Sequence, residues 1–248
     1  MPGLYVNDVL AEKQINEFAE RGFVLIPQVV GSGVLADAAR RIDEVIAADP
    51  PAPDKKGSHF YFLETKAEPD LIAPLTSTAA FHLAEELTGG GTLAPPGQVQ
   101  IALNIPLYEH RPGIPHIDAP NPEPTDEPVS STFTLLAGIL MTDQLAANSG
   151  NLWVWPGTHL ANAAYFRDHG PNQFCAYPKI DLPEPEQIMG RAGDLLLAHY
   201  LLGHNIGGNY KSGRTRRALY FRMSTVDHAS HRNEFLMDPW LDYGPIKS

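Results

Sequence analysis

In the stretch RPGIPHIDAPNP (111–122), His116 and Asp118 stand two apart among prolines. On an extended backbone, residues i and i+2 point to one face. An imidazole nitrogen and a carboxylate oxygen can then meet at one point. Such a pair is either a hydrogen-bonded surface couple or part of a metal site, and a metal site needs a third ligand. Among the ten histidines, His204 is the best placed, because it closes the apolar run GDLLLAHYLLGH (193–204) and precedes the turn-like NIGGN. Arg216 follows on the next apolar and aromatic segment, RRALYFR (216–222). An early His and Asp, a late His and an Arg just beyond fit a 2-His-1-carboxylate arrangement. That arrangement holds Fe(II) through three protein ligands and leaves the remaining positions open. The Arg adds a planar fork of donors suited to a carboxylate.

These residues need a frame. LAEKQINEFAE (10–20) has apolar residues at helical spacing, and Gly22 ends that helix. GFVLIP (22–27) reads as a short buried strand, and VLADAARRIDEVIAA (34–48) as a second amphipathic helix stopped by prolines 50, 51 and 53. Residues 49–58 read as a polar loop, and a third helix is expected over 78–88. After residue 95 the texture changes. QVQIALNIPLY, STFTLLAGILMTD, NLWVWPG, GDLLLAHYLL and RRALYFRMSTV are short and rich in β-branched and aromatic residues, with Gly, Pro, Asn and Asp between them. That pattern predicts an antiparallel sandwich or barrel, mainly β, with flanking helices on one face. A single domain is expected, its helical part over about 8–92 and its β core over about 96–226.

Composition narrows the partners. The chain has 248 residues, 43% of them hydrophobic, which suits a globular domain with a sizeable core. With 29 acidic against 18 basic residues the formal charge is −11, so nucleic acid is not an expected partner. No apolar run approaches the roughly 18 residues that span a membrane. The one cysteine, Cys175, can build neither a disulfide framework nor a thiolate cage, and is expected to be an ordinary thiol. No secretory signal is visible in MPGLYVNDVL, and a reducing cytoplasmic setting is expected for a monomer or homodimer.

The sequence resembles the phytanoyl-CoA dioxygenase family of Fe(II)/2-oxoglutarate-dependent oxygenases. The likeness runs through INEFAERGFVLIPQVV, the helix VLADAARRIDEVI, PHID, NSGNLWVWPGTHL (148–160) and GDLLLAHYLLGHNIGGN, over roughly residues 10–225. It implies a double-stranded β-helix (a cupin-like jelly roll) with iron at one end of the barrel. His116, Asp118 and His204 would be the catalytic metal ligands, with 2-oxoglutarate and O2 as co-substrates. Arg216 would pair with the far carboxylate of 2-oxoglutarate. Family spacing puts that Arg about eleven residues after the second His, and Arg214 and Arg217 flank the position. Strand alternation favours Arg216: it shares a face with Ala218 and Tyr220, whereas Arg217, Leu219, Phe221 and Met223 share the outer one.

The strand before the His-Asp pair commonly faces the co-substrate in such enzymes. Gln100 and Asn104 share one of its faces, and Thr132 and Thr134 on the next segment are further polar candidates. Where the family often has a small hydroxyl residue two after the second His, this chain has Ile206. His199, five before His204, is expected to face the other way as a core residue; His110 and His159 are expected to be structural. Trp153 and Trp155 are expected in the core. The acidic, Pro-rich segment 119–130 reads as an exposed loop. Asp118 points to hydroxylation, since related halogenases lack this carboxylate, and the net acidity points to a small metabolite or natural-product intermediate rather than an acyl-CoA. Desaturation, epoxidation and ring closure would use the same site. A cupin-type metal enzyme without 2-oxoglutarate and a non-catalytic β-barrel binding protein are the alternatives.

Overall fold

The structure is a computed structural model that describes residues 9–118, 132–171 and 174–247. The first element of the described residues is α1 (Glu12–Arg21), which carries Glu12 in its first turn and Arg21 in its last, matching the helix dipole. Gly22 ends it at φ 81°, and a side chain there would run into the ring of His159. β1 (Phe23–Ile26) follows directly, then α2 (Ser32–Ala48), which buries Ala38, Ile42 and Val45 at helical spacing. β2 (Gly57–Glu64), α3 (Pro69–Thr76) and α4 (Ala80–Thr88) complete the N-terminal part. The predicted third helix is thus α4 alone.

Among the described residues seven strands follow: β3 (Gln98–Ile105), β4 (Leu135–Leu140), β5 (Leu152–Val154), β6 (Glu186–Gln187), β7 (Leu195–His199), β8 (His204–Ile206) and β9 (Arg216–Met223). Helix α5 (Thr158–His169) stands between β5 and β6, and α6 (Arg232–Met237) and α7 (Gly244–Lys247) close the chain. The strands form a six-stranded antiparallel sheet in the order β1-β7-β4-β9-β3-β2 and a three-stranded one in the order β6-β5-β8. Both sheets line a single cavity, the jelly-roll arrangement expected from the sequence.

Helices α3, α5, α6 and α7 had no counterpart in the sequence reading, and two features of the sheet differ from it. β1 and β2 are the two edge strands of the large sheet, so the N-terminal part builds the β core as well as covering it. β2 itself was not anticipated, because SHFYFLE carries aromatic residues on both faces and shows no apolar alternation. Tyr61 turns outward, buried, with its hydroxyl on the Asp49 carbonyl, while Phe60 and Phe62 turn into the barrel. The acidic segment 119–130 lies outside the described residues.

The large sheet's outer face packs on helices through residues such as Ile101, Leu219 and Phe221, all fully buried. Its inner face is more polar. Cross-strand register sets Gln100 beside Tyr220 and Asn104 beside Arg216.

Candidate metal centre

His116 lies opposite the first residue of β8. Its backbone exchanges two hydrogen bonds with His204, N–O distances 2.9 and 3.0 Å. Directly paired residues of antiparallel strands point their side chains to one face, and the two imidazole centroids sit 4.4 Å apart. Asp118, two residues on, turns to the same side. Its Oδ1 lies 3.5 Å from Nε2 of His116 and 3.5 Å from Nε2 of His204. One ligand atom from each of the three falls within 4.8 Å of the others. Donors on a shared ion with bonds of about 2.1 Å sit roughly 3 Å apart, and both Asp118–histidine separations lie close to that spacing.

The surroundings fix the ligands. His204 Nδ1 lies 3.0 Å from the Leu202 carbonyl, which directs the Nε2 lone pair at the site. Burial would raise the Asp118 carboxyl, yet hydrogen bonds with His116 and His204, and then the charges of His204 and Arg222, hold it well below the usual carboxylate range. Burial would lower His204, and Asp118 raises it instead. Asp118 Oδ2 accepts from Arg222 Nε at 2.9 Å and lies 2.6 Å from Nη2. Arg222 Nη1 donates to Gln100 Oε1 at 2.9 Å.

The three residues open on a cavity of about 360 Å³. Ser58, Phe60 and Phe62 form one wall, Leu136, Leu152 and Ile206 another, and Gln100, Tyr220 and Arg222 contribute polar groups. Arg216 lies at the far end of β9 from Arg222, only 2% exposed. Its Nε donates to Gln144 Oε1 at 3.1 Å, Nη2 donates to the Tyr220 hydroxyl, and Nη1 has no partner among the described residues. Among the described residues no carboxylate lies within ion-pair distance of Arg216. A buried guanidinium with an unused donor and no acid beside it is prepared for an anion. Arg217 points outward to Asp43, 2.7 Å away, and Arg214 is exposed, so of the three arginines Arg216 is the buried one.

The other sequence candidates divide. Gln100 lines the cavity. Asn104 is fully buried beside Arg216, with Nδ2 on the Gly207 carbonyl at 2.7 Å and Oδ1 unpartnered. Thr134 is a correction. It does not line the cavity: its hydroxyl donates to Asp242 and lies within reach of His228, in a C-terminal cluster with Thr132. Alternation on β4 could not place it, because the strand begins at Leu135 and Thr134 precedes it. His199 is buried, Nε2 on the Pro239 carbonyl at 2.7 Å and Nδ1 accepting from Leu201. His159 bonds the Ala19 carbonyl, and both tryptophans are buried. Arg222 was missed, although the alternation that selects Arg216, Ala218 and Tyr220 reaches it next.

A second group of possible ligands, His228, His231 and Asp242, is a hydrogen-bonded cluster. Asp242 lies 2.6 Å from a nitrogen of each histidine, shorter than the roughly 3 Å that donors keep on a common ion. His228 spends its other nitrogen on Thr132 at 2.9 Å.

Neither a protein-family model nor a curated protein matches the chain. Solved structures do. SnoK, a non-heme α-ketoglutarate-dependent carbocyclase from nogalamycin biosynthesis, superposes with a TM-score of 0.61 at 20% identity, over 93% of this chain and 94% of its own. HygX from Streptomyces hygroscopicus, solved with nickel and 2-oxoglutarate bound, gives 0.60 at 16% identity over 88% of each chain. The epimerase SnoN, also α-ketoglutarate-dependent and from nogalamycin biosynthesis, gives 0.57 at 17%, over 86% and 81%. The chain has the fold of these enzymes. Within that jelly roll, the His116–Asp118–His204 cluster sits where both sheets border the cavity. Among the described residues, no helix is long and apolar enough to cross a membrane.

Proposed function

We propose that this protein is an Fe(II)- and 2-oxoglutarate-dependent dioxygenase that hydroxylates an unactivated C–H bond of a small metabolite or natural-product intermediate. One observation carries the reading: two imidazoles and one carboxylate converge on a cavity, and the same face of β9 holds a buried arginine that, among the described residues, has an unused donor and no acid partner. The donor set, two neutral nitrogens and one hard oxygen, suits Fe(II). Loaded with iron and 2-oxoglutarate, such a site uses O2 to oxidise a C–H bond and releases succinate and CO2.

The residues divide the work. His116, Asp118 and His204 would hold the metal. Arg216 would take the distal carboxylate of 2-oxoglutarate on Nη1, with Tyr220 and Gln144 fixing its fork. Asn104 would set the floor beside it. Phe60, Phe62, Leu136 and Leu152 would exclude water and orient an apolar face of the substrate. The carbocyclase and epimerase that share the fold support a reading in which substrate placement, rather than the ligand set, decides the outcome.

The test is an anaerobic titration with Fe(II) and then 2-oxoglutarate, followed by the visible charge-transfer band of a chelated 2-keto acid. A band is expected in the wild type. It should vanish in His204→Ala and need about tenfold more 2-oxoglutarate in Arg216→Ala. Iron binding with no band would favour a metal enzyme that does not use the keto acid.

A further inference from the structure

A carboxylate can give a metal one oxygen or both. Here the two oxygens of Asp118 have different partners. Oδ1 faces both histidine Nε2 atoms at 3.5 Å. Oδ2 is held by two nitrogens of one guanidinium, Nε at 2.9 Å and Nη2 at 2.6 Å. Nε makes a hydrogen bond to this oxygen, and Nη2 adds a close ion-pair contact to the same atom. The guanidinium is itself tethered, since Nη1 donates to Gln100 Oε1 on the neighbouring strand at 2.9 Å. The plane that captures Oδ2 is thereby fixed by β3 and β9 together, and Asp118 cannot rotate to offer both oxygens without breaking a charge-assisted hydrogen bond and an ion pair.

We propose that Arg222 is a positioning residue that keeps Asp118 a one-oxygen ligand and so preserves an open coordination position at the metal centre. The inference rests on the function proposed above. A six-coordinate ion with three protein donors keeps three positions; a 2-keto acid takes two and O2 needs the third. If Asp118 chelated through both oxygens, one of those positions would be lost. Arg222 is also a cation close to a dication, so it opposes metal binding while it favours the open geometry. Its removal should therefore separate two quantities that a merely structural residue would lower together.

The experiment uses Mn(II) as a metal probe and 2-oxoglutarate as the keto acid, without turnover. Metal affinity, the number of metal-bound waters from line broadening in 17O-labelled water, and 2-oxoglutarate affinity are measured on wild type, Arg222→Met, Arg222→Lys and Gln100→Leu. In Arg222→Met, metal affinity should stay within about threefold or rise. Bound waters should fall from about three to about two, and 2-oxoglutarate affinity should drop about tenfold or more. Arg222→Lys, which keeps the charge but lacks the fork, should recover part of both. Gln100→Leu, which frees the guanidinium without removing it, should lower the bound-water count and weaken 2-oxoglutarate about threefold together, with metal binding unchanged; weaker 2-oxoglutarate at an unchanged water count would mark Gln100 as a direct contact and overturn the inference. This variant carries the test should Arg222→Met not fold. Equal water counts and equal 2-oxoglutarate affinity in wild type and variants would overturn the inference alone. Parallel loss of metal and 2-oxoglutarate in the variants would also overturn it, in favour of a structural role. A wild type that binds neither Mn(II) nor Fe(II) would overturn the proposed function, and this inference with it.

Discussion

Gly138 and Tyr220 stand opposite each other in the β4–β9 register, and a Cβ on Gly138 would lie 2.7 Å from the Tyr220 ring. The missing side chain lets the ring lie flat across β4 and carry its hydroxyl back to Arg216. Gly138→Ala should push the ring into the cavity and release one arm of the Arg216 fork. We expect 2-oxoglutarate affinity to fall about three- to tenfold, with a stability loss of about 1–3 kcal/mol from overpacking. Isothermal titration beside a thermal melt separates the two effects; unchanged affinity would show that Tyr220 does not set the fork.

The three neighbouring arginines should behave differently. Arg217 makes an ion pair with Asp43, half of whose surface or more is in water, and Arg214 is exposed. Alanine at either should cost no more than about 1 kcal/mol of stability and leave 2-oxoglutarate affinity unchanged. Arg216→Lys keeps the charge but loses the fork that reaches Gln144 and Tyr220, and should weaken 2-oxoglutarate about tenfold. Equal effects at all three positions would contradict the assignment of Arg216.

Acid should destabilise the fold through two buried histidines. Burial lowers His159 to about 4, and burial followed by the neighbouring His159 lowers His199 to about 3, against 6.5 for a free imidazole. Below about pH 6.5 the unfolded chain takes up protons that the folded chain refuses, so stability falls as pH falls. Each residue contributes about 2 kcal/mol of that loss between pH 6.5 and 5. His199→Gln should flatten the profile and lower stability at neutral pH by about 2–4 kcal/mol, as its stack with Phe235 and Tyr243 is lost. Urea unfolding at a series of pH values checks both points.

Asp242 has the opposite window. Burial would raise its carboxyl, but hydrogen bonds with His228, Thr134 and His231 lower it to about 2, from 3.8. The stabilisation is complete above the unfolded value and is lost as pH falls from about 4 towards 2. Asp242→Asn should cost about 2 kcal/mol at pH 7, with the gap to wild type closing below pH 4. Thr134→Val should destabilise the same cluster and leave 2-oxoglutarate affinity unaltered, since Thr134 does not border the cavity. A shifted 2-oxoglutarate affinity in Thr134→Val would restore it as a co-substrate contact.

Much of the centre was legible in the chain because it depends on backbone periodicity. The two-residue spacing of His116 and Asp118 sets both on one face wherever the segment is extended. The same alternation turns Arg216 inward and Arg217 outward on β9. Gly22 and the prolines after α2 punctuate the helices locally, so those boundaries needed no partner.

Contacts between distant segments were not legible. Arg222 meets Asp118 across 104 residues, and Thr134 meets Asp242 across 108. Thr134 and Gln100 look alike in sequence, two polar residues beside apolar strands; only the packing of the C-terminal segment sends one hydroxyl to Asp242. β2 became a strand because β3 offered it a paired edge, against a composition with no alternation. The sequence by itself determined which residue types could ligate a metal and which faces they share, since φ/ψ periodicity is a property of each segment alone. The tertiary structure decided which oxygen of Asp118 faces the histidines and which arginine is buried, since those depend on where other strands bring their side chains.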